Sequence, residues 1–261
     1  MTQLVLMVND EDPLISVLTL NRPEKRNALS LELIERLTDA VNACASNPTR
    51  RVMIIKGNGP AFCSGLDLRE ASNPGGAEKS AEALARMYLA IGNSPLVTIA
   101  AAQGAAMGGG AGLLAACDFV VAADTLKLAY PEVKRGLVAA LVTCLLRRRL
   151  NDSAVRELIL LGQTVAAEDA WKLGLVNDVV VAEELTNAAM ALARDACAGA
   201  PGAIMRTKRL LDDLSARPLE EDLRRALHVH LSARNSAEAA EGIAAFNEKR
   251  EPRWGARPMG E

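Results

Sequence analysis

The chain has 261 residues, half of them hydrophobic, and its 30 basic and 32 acidic residues nearly cancel. The balanced charge and the scarcity of aromatic residues (three Phe, two Tyr, two Trp) argue against nucleic acid or an anionic membrane as a partner. No apolar run is long enough to span a bilayer, and no basic start precedes an apolar run, so we expect neither a membrane segment nor a signal peptide.

The cysteines and histidines give little support for metal or disulfide chemistry. The only two histidines, His228 and His230, fall late in a helical stretch, and they offer neither a zinc ligand set nor a Ser-His-Asp arrangement. An odd number of cysteines without C-x-x-C spacing favours free thiols in a reducing compartment, and we expect a cytoplasmic protein. The cysteines are Cys44, Cys63, Cys117, Cys144 and Cys197.

The first elements in chain order are strands, followed by a helix. Residues 4–8 and 14–20 predict a hairpin because they are largely apolar and a turn-forming segment separates them. Ser30 predicts the N-cap of a helix whose apolar residues recur at helical spacing. Residues 52–55 predict a short buried strand, and the Gly-, Pro- and Ser-rich residues 57–68 predict a loop.

The middle of the chain continues this alternation. Residues 72–80 predict a mobile segment, with a helix from there to about Ile91. A buried strand is expected at 97–102, followed by a glycine-rich segment that opens an Ala/Leu helix, and another strand at 119–122. Strands alternating with helices indicate α/β layering.

From Ala139 onward the pattern is mostly helical. We expect the last helices at roughly 182–198, 202–215 and 219–248, and such long terminal helices suit packing on a neighbouring subunit. Arg147, Arg148 and Arg149 form a local basic run, which the sequence predicts to be a solvated helix face.

The glycine-rich segment 103–118 carries the clearest chemical signal. Glycines at a helix start let a ligand approach the backbone closely, and the first helical N–H groups can hold an anion or a developing oxyanion. Gly110, Gly112 and Ala115 also have the spacing of a dinucleotide fingerprint. However, seven residues separate them from the preceding strand and they lie more than a hundred residues into the chain, and both features argue against that fingerprint. Close helix packing through glycines is a purely structural alternative.

A second glycine-bearing loop, residues 61–68, also follows a predicted strand. Two such junctions could each direct one N–H at a common oxygen, which is the arrangement of an oxyanion hole. Four segments then resemble the enoyl-CoA hydratase/isomerase (crotonase) family in order and spacing: residues 21–29, 61–68, 103–112 and 131–133. Residues 162–180 and 241–250 resemble it too, so the likeness covers nearly the whole chain.

The resemblance implies the roles of individual residues. The oxyanion donors would be the main-chain N–H groups of Leu66 and Gly109. Lys249 would serve the CoA phosphate, although a solvated charge at the end of a helix is equally consistent with the sequence. Further contacts to the acyl-CoA are expected at Lys25, Arg26, Ala28, Ala61, Ser64, Asp67, Leu68 and Gly108.

Family hydratases commonly carry two glutamates, and this chain keeps one of them. The first position is Gly112, and the second is Glu132 in the Tyr130-Pro131-Glu132 segment. A two-carboxylate addition of water therefore cannot be written for these positions, whereas one carboxylate can shift a double bond or handle water alone. Apolar neighbours would raise the pKa of Glu132, which helps either role; a structural acid at a helix start is the alternative.

Three functions follow as hypotheses. An enoyl-CoA hydratase or lyase using Glu132 is the first, a double-bond isomerase using the same glutamate is the second, and a non-catalytic acyl-CoA binder is the third. An acyl-CoA thioester is the expected partner, with no metal and no cofactor besides the CoA of the substrate.

The fold implied by the resemblance is α/β, a crotonase-like spiral of β-β-α units with a C-terminal helical region. We expect residues 1–195 to form the spiral core with the acyl-CoA site. Residues 196–261 are expected to form a helical trimerisation region, in a homotrimer or a dimer of trimers.

Overall fold

A computed structural model describes residues 3–9, 12–71 and 75–254 of the chain. The strands in these residues are β1 (Val5–Asn9), β2 (Ile15–Leu20), β3 (Val52–Gly57), β4 (Val97–Ala102), β5 (Ala105–Met107), β6 (Phe119–Ala123), β7 (Lys127–Ala129), β8 (Val165–Ala166) and β9 (Asp178–Val180). Within these residues, no helix combines the length and the apolar character that crossing a bilayer requires.

Two sheets organise these strands. The larger has the order β1-β2-β3-β4-β6-β9, in which the predicted hairpin β1–β2 is antiparallel and every other pair is parallel. The smaller has the order β5-β7-β8. The predicted strands at 52–55, 97–102 and 119–122 are confirmed, the first and last with slight extensions.

The helices cover both faces of the larger sheet. They are α1 (Leu31–Ser46), α2 (Leu68–Ala71), α3 (Gly76–Gly92), α4 (Gly109–Ala116), α5 (Ala140–Arg147), α6 (Asp152–Leu161), α7 (Ala167–Lys172), α8 (Leu185–Cys197), α9 (Pro201–Asp213), α10 (Leu219–Arg234) and α11 (Ala237–Glu248). The predicted cap of α1 is confirmed, because the Ser30 hydroxyl accepts a hydrogen bond from the Leu33 N–H at 3.2 Å.

Strand β3 shows how one sheet serves two cores. Met53 and Ile55 face the larger core, whereas Val52 and Ile54 face a smaller core that α8 closes. Side chains alternate between the faces of a strand, so a strand covered on both sides is continuously apolar. That explains the uninterrupted hydrophobic runs of the central strands.

Several sequence predictions need correction. Helix α3 begins at Gly76, inside the range predicted to be mobile, while residues 72–74 of that range lie outside the described part of the chain. The single helix predicted at 219–248 is two helices, because the chain turns at Asn235 and the Ser236 hydroxyl caps α11. Strand β5 was missed, and it fills the gap between β4 and the triple glycine.

The prediction that the basic run 147–149 is a solvated helix face was wrong in part. Arg147 is exposed, as predicted, but Arg148 is mostly buried and pairs with Asp212 and Asp222. The Arg149 guanidinium donates to the carbonyls of Leu114, Cys117 and Asp118 at the end of α4. A cation at a helix C-terminus complements its partial negative charge. Two of the three arginines therefore hold helices in place.

The last two helices pack back onto the core of the same chain. Helix α10 packs against α3 and α5, and α11 packs on the 3₁₀ turn Pro131–Arg135. Two glycines allow α11 to approach this turn closely: a Cβ on Gly242 would lie 2.8 Å from the Arg135 Cα, and a Cβ on Gly136 would lie 2.8 Å from the Ala239 N. The division at residue 195 remains a prediction; that residue lies within α8.

We expect Gly242→Ala to destabilise the fold by about 1–3 kcal/mol, because the added methyl group overlaps backbone that has no free rotation. Gly202→Ala in α9 is the matched control, since its nearest neighbours lie at 3.5 Å or beyond and belong to the flexible Arg206 side chain. Chemical denaturation of both variants measures the difference. Equal stability of the two would contradict the close contact between α11 and the turn.

Candidate active site

Two loops that are 40 residues apart in sequence run side by side at the end of the larger sheet. The Phe62 N–H donates to the Gln103 carbonyl at 2.9 Å, and the Cys63 N–H donates to the Ala105 carbonyl at 3.0 Å. The Met107 N–H donates back to the Cys63 carbonyl at 3.0 Å. These bonds extend the parallel pairing of β3 and β4 into the loops.

Glycines make this approach possible. A Cβ on Gly65, whose φ is +93°, would lie 2.6 Å from the Met107 carbonyl oxygen. A Cβ on Gly110 would lie 2.7 Å from the Cys63 Sγ. Both distances are shorter than real Cβ contacts, so a larger residue at either position would push the loops apart.

The Leu66 and Gly109 N–H groups lie at this junction. The Gly109 nitrogen is 3.7 Å from where a Gly65 Cβ would be, and Gly109 is the first residue of α4. Within the described part of the chain, neither N–H donates a hydrogen bond to the protein. Leu66 and Gly109 both line one small cavity, here called the inner cavity, which also contains Gly108 and Glu132.

Glu132 is the one acid among the described residues that line the inner cavity. It lies on the 3₁₀ turn after β7, and its Oε1 would be 2.9 Å from a Cβ on Gly108. Its Oε2 is buried without a hydrogen-bond partner among the described residues. Burial raises the pKa of Glu132 to about 7, against the smaller opposing effects of its own backbone N–H and of Arg135.

Three cationic or titratable residues of the inner cavity were missed by the sequence analysis: Arg135, His230 and Arg234. Arg135 stacks on the Phe246 ring of α11 with its guanidinium carbon 4.2 Å from the ring centroid. His230 is buried on α10, and burial lowers the pKa of its imidazole. Spacing along the sequence gave no hint of the last two, because α10 reaches the cavity only through tertiary packing.

A much wider groove adjoins the inner cavity. This outer groove, of about 1160 Å³, shares five lining residues with the cavity: Ser64, Leu66, Leu68, Met107 and Arg135. Its size suits a cofactor-scale ligand. Most of the residues predicted to contact CoA line it, namely Lys25, Arg26, Ala28, Ser64, Asp67, Leu68 and Lys249.

Two of the predicted contacts lie elsewhere. Gly108 lines the inner cavity rather than the groove. Ala61 lines neither, because its side chain is buried and its carbonyl accepts a hydrogen bond from the Asn27 Nδ2 at 2.9 Å. The expected contact between Ala61 and the acyl-CoA stays a prediction.

Asn27 joins the segment 21–29 to the loop 61–68. Its Nδ2 also donates to the carbonyls of Asn58 and Phe62, and its Oδ1 accepts from the Arg22 N–H. Arg22 in turn pairs with Asp67 at 2.9 Å. A buried side-chain amide with every bond satisfied fixes two loops relative to each other. Asn27 thus fixes, from a buried position, two segments whose residues line the outer groove.

No cluster of three or more His, Cys, Asp or Glu side chains suited to a metal ion is found in residues 3–9, 12–71 and 75–254. All five cysteines are free. The groups available for chemistry among the described residues of the inner cavity include main-chain amides, the Glu132 carboxyl, the Ser64 hydroxyl, the His230 imidazole and two arginines.

Comparison with known proteins adds an independent line of evidence. The family model described as Enoyl-CoA hydratase/isomerase matches residues 11–257. A Thermus thermophilus relative is 38% identical over 253 residues, covering 95% of this chain and all of that protein. The mevalonyl-coenzyme A hydratase sidH of Aspergillus fumigatus is 35% identical and covers 95% of this chain and 94% of its own.

Solved structures agree with this. The crystal structure of an enoyl-CoA hydratase from Mycobacterium avium matches with a TM-score of 0.86 and 31% identity, covering 98% of this chain and all of that one. The likeness confirms the predicted α/β fold class.

The buried carboxyl predicts a pH-dependent stability. Because folding raises the pKa of Glu132 from 4.5 to about 7, ionisation costs the folded state, and this contribution to stability is lost as pH rises between those values. Glu132→Gln removes the cost, which is at most about 3 kcal/mol. We expect the Tm of the variant minus the Tm of the parent to grow as pH rises from 5 to 8, as measured by thermal unfolding. A Tm difference independent of pH would show that the carboxyl is not desolvated.

Proposed function

The chain belongs to the enoyl-CoA hydratase/isomerase (crotonase) family, and we propose that it is an enoyl-CoA hydratase or lyase acting on an acyl-CoA thioester. One observation carries the proposal: the inner cavity combines two N–H groups that have no acceptor among the described residues with one carboxyl whose pKa is about 7. The two N–H groups can stabilise an oxygen that becomes negative. The carboxyl can transfer a proton near neutral pH.

In the proposed mechanism, the thioester carbonyl oxygen accepts hydrogen bonds from the Leu66 and Gly109 N–H groups. Negative charge accumulates on this oxygen as the thioester becomes an enolate, so donors already in place stabilise the transition state more than the substrate. The position of Gly109 at the start of α4 adds the partial positive charge of a helix N-terminus.

Glu132 performs the proton transfers in this proposal. As a carboxylate it removes a proton from a water molecule while the hydroxyl bonds to the β-carbon and the enolate forms. It then returns that proton to the α-carbon as the enolate collapses, so the sum is one water added and the carboxylate regenerated. A pKa near 7 makes Glu132 both an adequate base and an adequate acid.

The outer groove is the proposed site for the CoA portion. Lys25, Arg26 and Lys249 bring three cations to its lining, which suits the phosphates of CoA. The residues shared by groove and cavity lie where a thioester would pass from one to the other. No cofactor beyond the CoA of the substrate is required.

A double-bond isomerase is the second candidate, and the glycine at position 112 favours it. With one carboxyl, Glu132 could take a proton from the α-carbon of a 3-enoyl thioester and return it to the γ-carbon without water. A non-catalytic acyl-CoA binder, the third candidate, would bind thioesters and leave them unchanged.

The cellular setting and the assembly also belong to this proposal. Five free cysteines support a reducing compartment, and we assign the protein to the cytoplasm. Leu210, Leu211 and Leu214 at the end of α9 are all more than half exposed, which supports packing against another copy in a homotrimer or a dimer of trimers.

Incubation with a panel of 2-enoyl and 3-enoyl CoA thioesters tests the reaction type. We expect 2-enoyl thioesters to gain the mass of one water, and Glu132→Gln to abolish the gain. Glu35→Gln on the exposed face of α1 is the matched control. Conversion of 3-enoyl to 2-enoyl thioesters without a mass change would establish the isomerase instead, and binding without any product would establish the binder.

The oxyanion role of Gly109 can be tested by deleting its N–H. Proline is favoured at the first residue of a helix, where its missing N–H has no helical partner, so Gly109→Pro should fold. We expect it to lower kcat by about 10²–10³. Gly109→Ala keeps the N–H, and its Cβ would have no neighbour nearer than 3.4 Å. Steady-state kinetics should show a much smaller loss for Ala; equal losses would indicate that the N–H is not the cause.

A further inference from the structure

Position 112, which carries no acid, is bounded by a tyrosine. A Cβ on Gly112 would lie 2.7 Å from the Cζ of Tyr88 and 2.7 Å from the Val142 Cγ1, with the Tyr88 hydroxyl closer still. Tyr88 on α3 is fully buried, so its ring cannot swing into solvent to make room. A side chain at position 112 and a tyrosine at position 88 are therefore mutually exclusive.

The same hydroxyl holds the start of α4. The Tyr88 Oη donates to the Gly109 carbonyl at 2.7 Å. Burial raises the pKa of Tyr88 well above its usual value, so the hydroxyl stays protonated and remains a donor. The chain's other tyrosine, Tyr130, donates to the Ala111 carbonyl at 3.2 Å. Both tyrosines thus anchor one turn of one helix.

That turn needs anchors because of its sequence. Residues 109–112 read Gly-Gly-Ala-Gly, and glycine is a poor helix former because it has more conformational freedom to lose. An oxyanion donor works only if its direction is fixed before the reaction. A hydrogen bond from a buried, rigid aromatic side chain to the carbonyl of the donor residue itself supplies that constraint.

We propose that Tyr88 is a positioning residue for the Gly109 N–H and that Tyr88 and Gly112 form a complementary pair which restricts the site to one carboxyl. The part on catalysis rests on the proposed function. In this arrangement the volume that a second acid would enter is filled by an aromatic ring. Gly112 leaves the space that the Tyr88 ring occupies when its hydroxyl bonds the Gly109 carbonyl.

The first experiment removes the hydroxyl and keeps the ring. For Tyr88→Phe we expect kcat to fall about tenfold with KM within about twofold, since the loss of one hydrogen bond misaligns a donor that acts mainly in the transition state. The enolate absorbance of bound acetoacetyl-CoA, which reports stabilisation of a negative oxygen directly, should fall in parallel. Thr38→Val, which removes a hydroxyl-to-carbonyl bond of 2.8 Å within α1, is the control, because Thr38 lines neither the inner cavity nor the outer groove.

The outcomes separate positioning from structural support. A fall in Tm for Tyr88→Phe with unchanged kcat and unchanged enolate absorbance would overturn the positioning role. If the parent turns over no enoyl-CoA, the proposed function fails, whereas the enolate absorbance still tests the placement of the N–H.

The second experiment tests the pair and needs no activity. We expect Gly112→Glu to lower Tm strongly, because the added side chain overlaps the Tyr88 ring. The double variant Tyr88→Ala/Gly112→Glu should lose less Tm than the two single losses added together, because Tyr88→Ala removes the ring and the glutamate fills part of the space that the ring leaves. Additive effects on Tm, or a Gly112→Glu variant as stable as the parent, would overturn the exclusion. Gly112→Ala provides the smallest probe of the same clash if the glutamate variant does not fold.

Discussion

The parallel pairing of two loops beyond the ends of β3 and β4 is the constraint on which the site depends. Three main-chain hydrogen bonds hold the loops in register, and glycines allow their backbones to come closer than any side chain would permit. This pairing brings the Leu66 and Gly109 N–H groups to one cavity, where neither has an acceptor among the described residues. Both N–H groups belong to the main chain, so a leucine at position 66 presents its N–H as well as a smaller residue would.

Helix α4 is the second part of this construction, and it is held from both ends. Two tyrosine hydroxyls contact carbonyls of its first turn, and the Arg149 guanidinium contacts carbonyls at its end. A helix with three glycines in its first four residues has little intrinsic stability, because each costs about 1 kcal/mol relative to alanine. Its position therefore comes from its neighbours, and the rest of the core supplies rigidity that the helix itself lacks.

The α/β fold class could be predicted from the sequence, because strong apolar runs are local signals. Glycine spacing likewise singled out the two loops that pair in the structure, while the oxyanion role of Leu66 and Gly109 stays a prediction. Strands of two or three residues, such as β7 and β8, were missed because they are too short to show a pattern. The break at Asn235 was missed because helical periodicity resumes at once. Arg135 and Arg234 escaped notice since a charged residue on a helical pattern normally indicates solvent, and only the packing of α10 and α11 turns these positions inward.

The buried Oε2 of Glu132, which has no hydrogen-bond partner among the described residues, has a consequence for ligand binding. Because burial raises the pKa of this carboxyl to about 7, it exchanges a proton with solvent near neutral pH. A bound group that brings negative charge or excludes water beside this carboxyl favours the protonated form, so association takes up a fraction of a proton from the buffer. Heats of association measured by calorimetry near neutrality will then vary with the ionisation enthalpy of the buffer chosen.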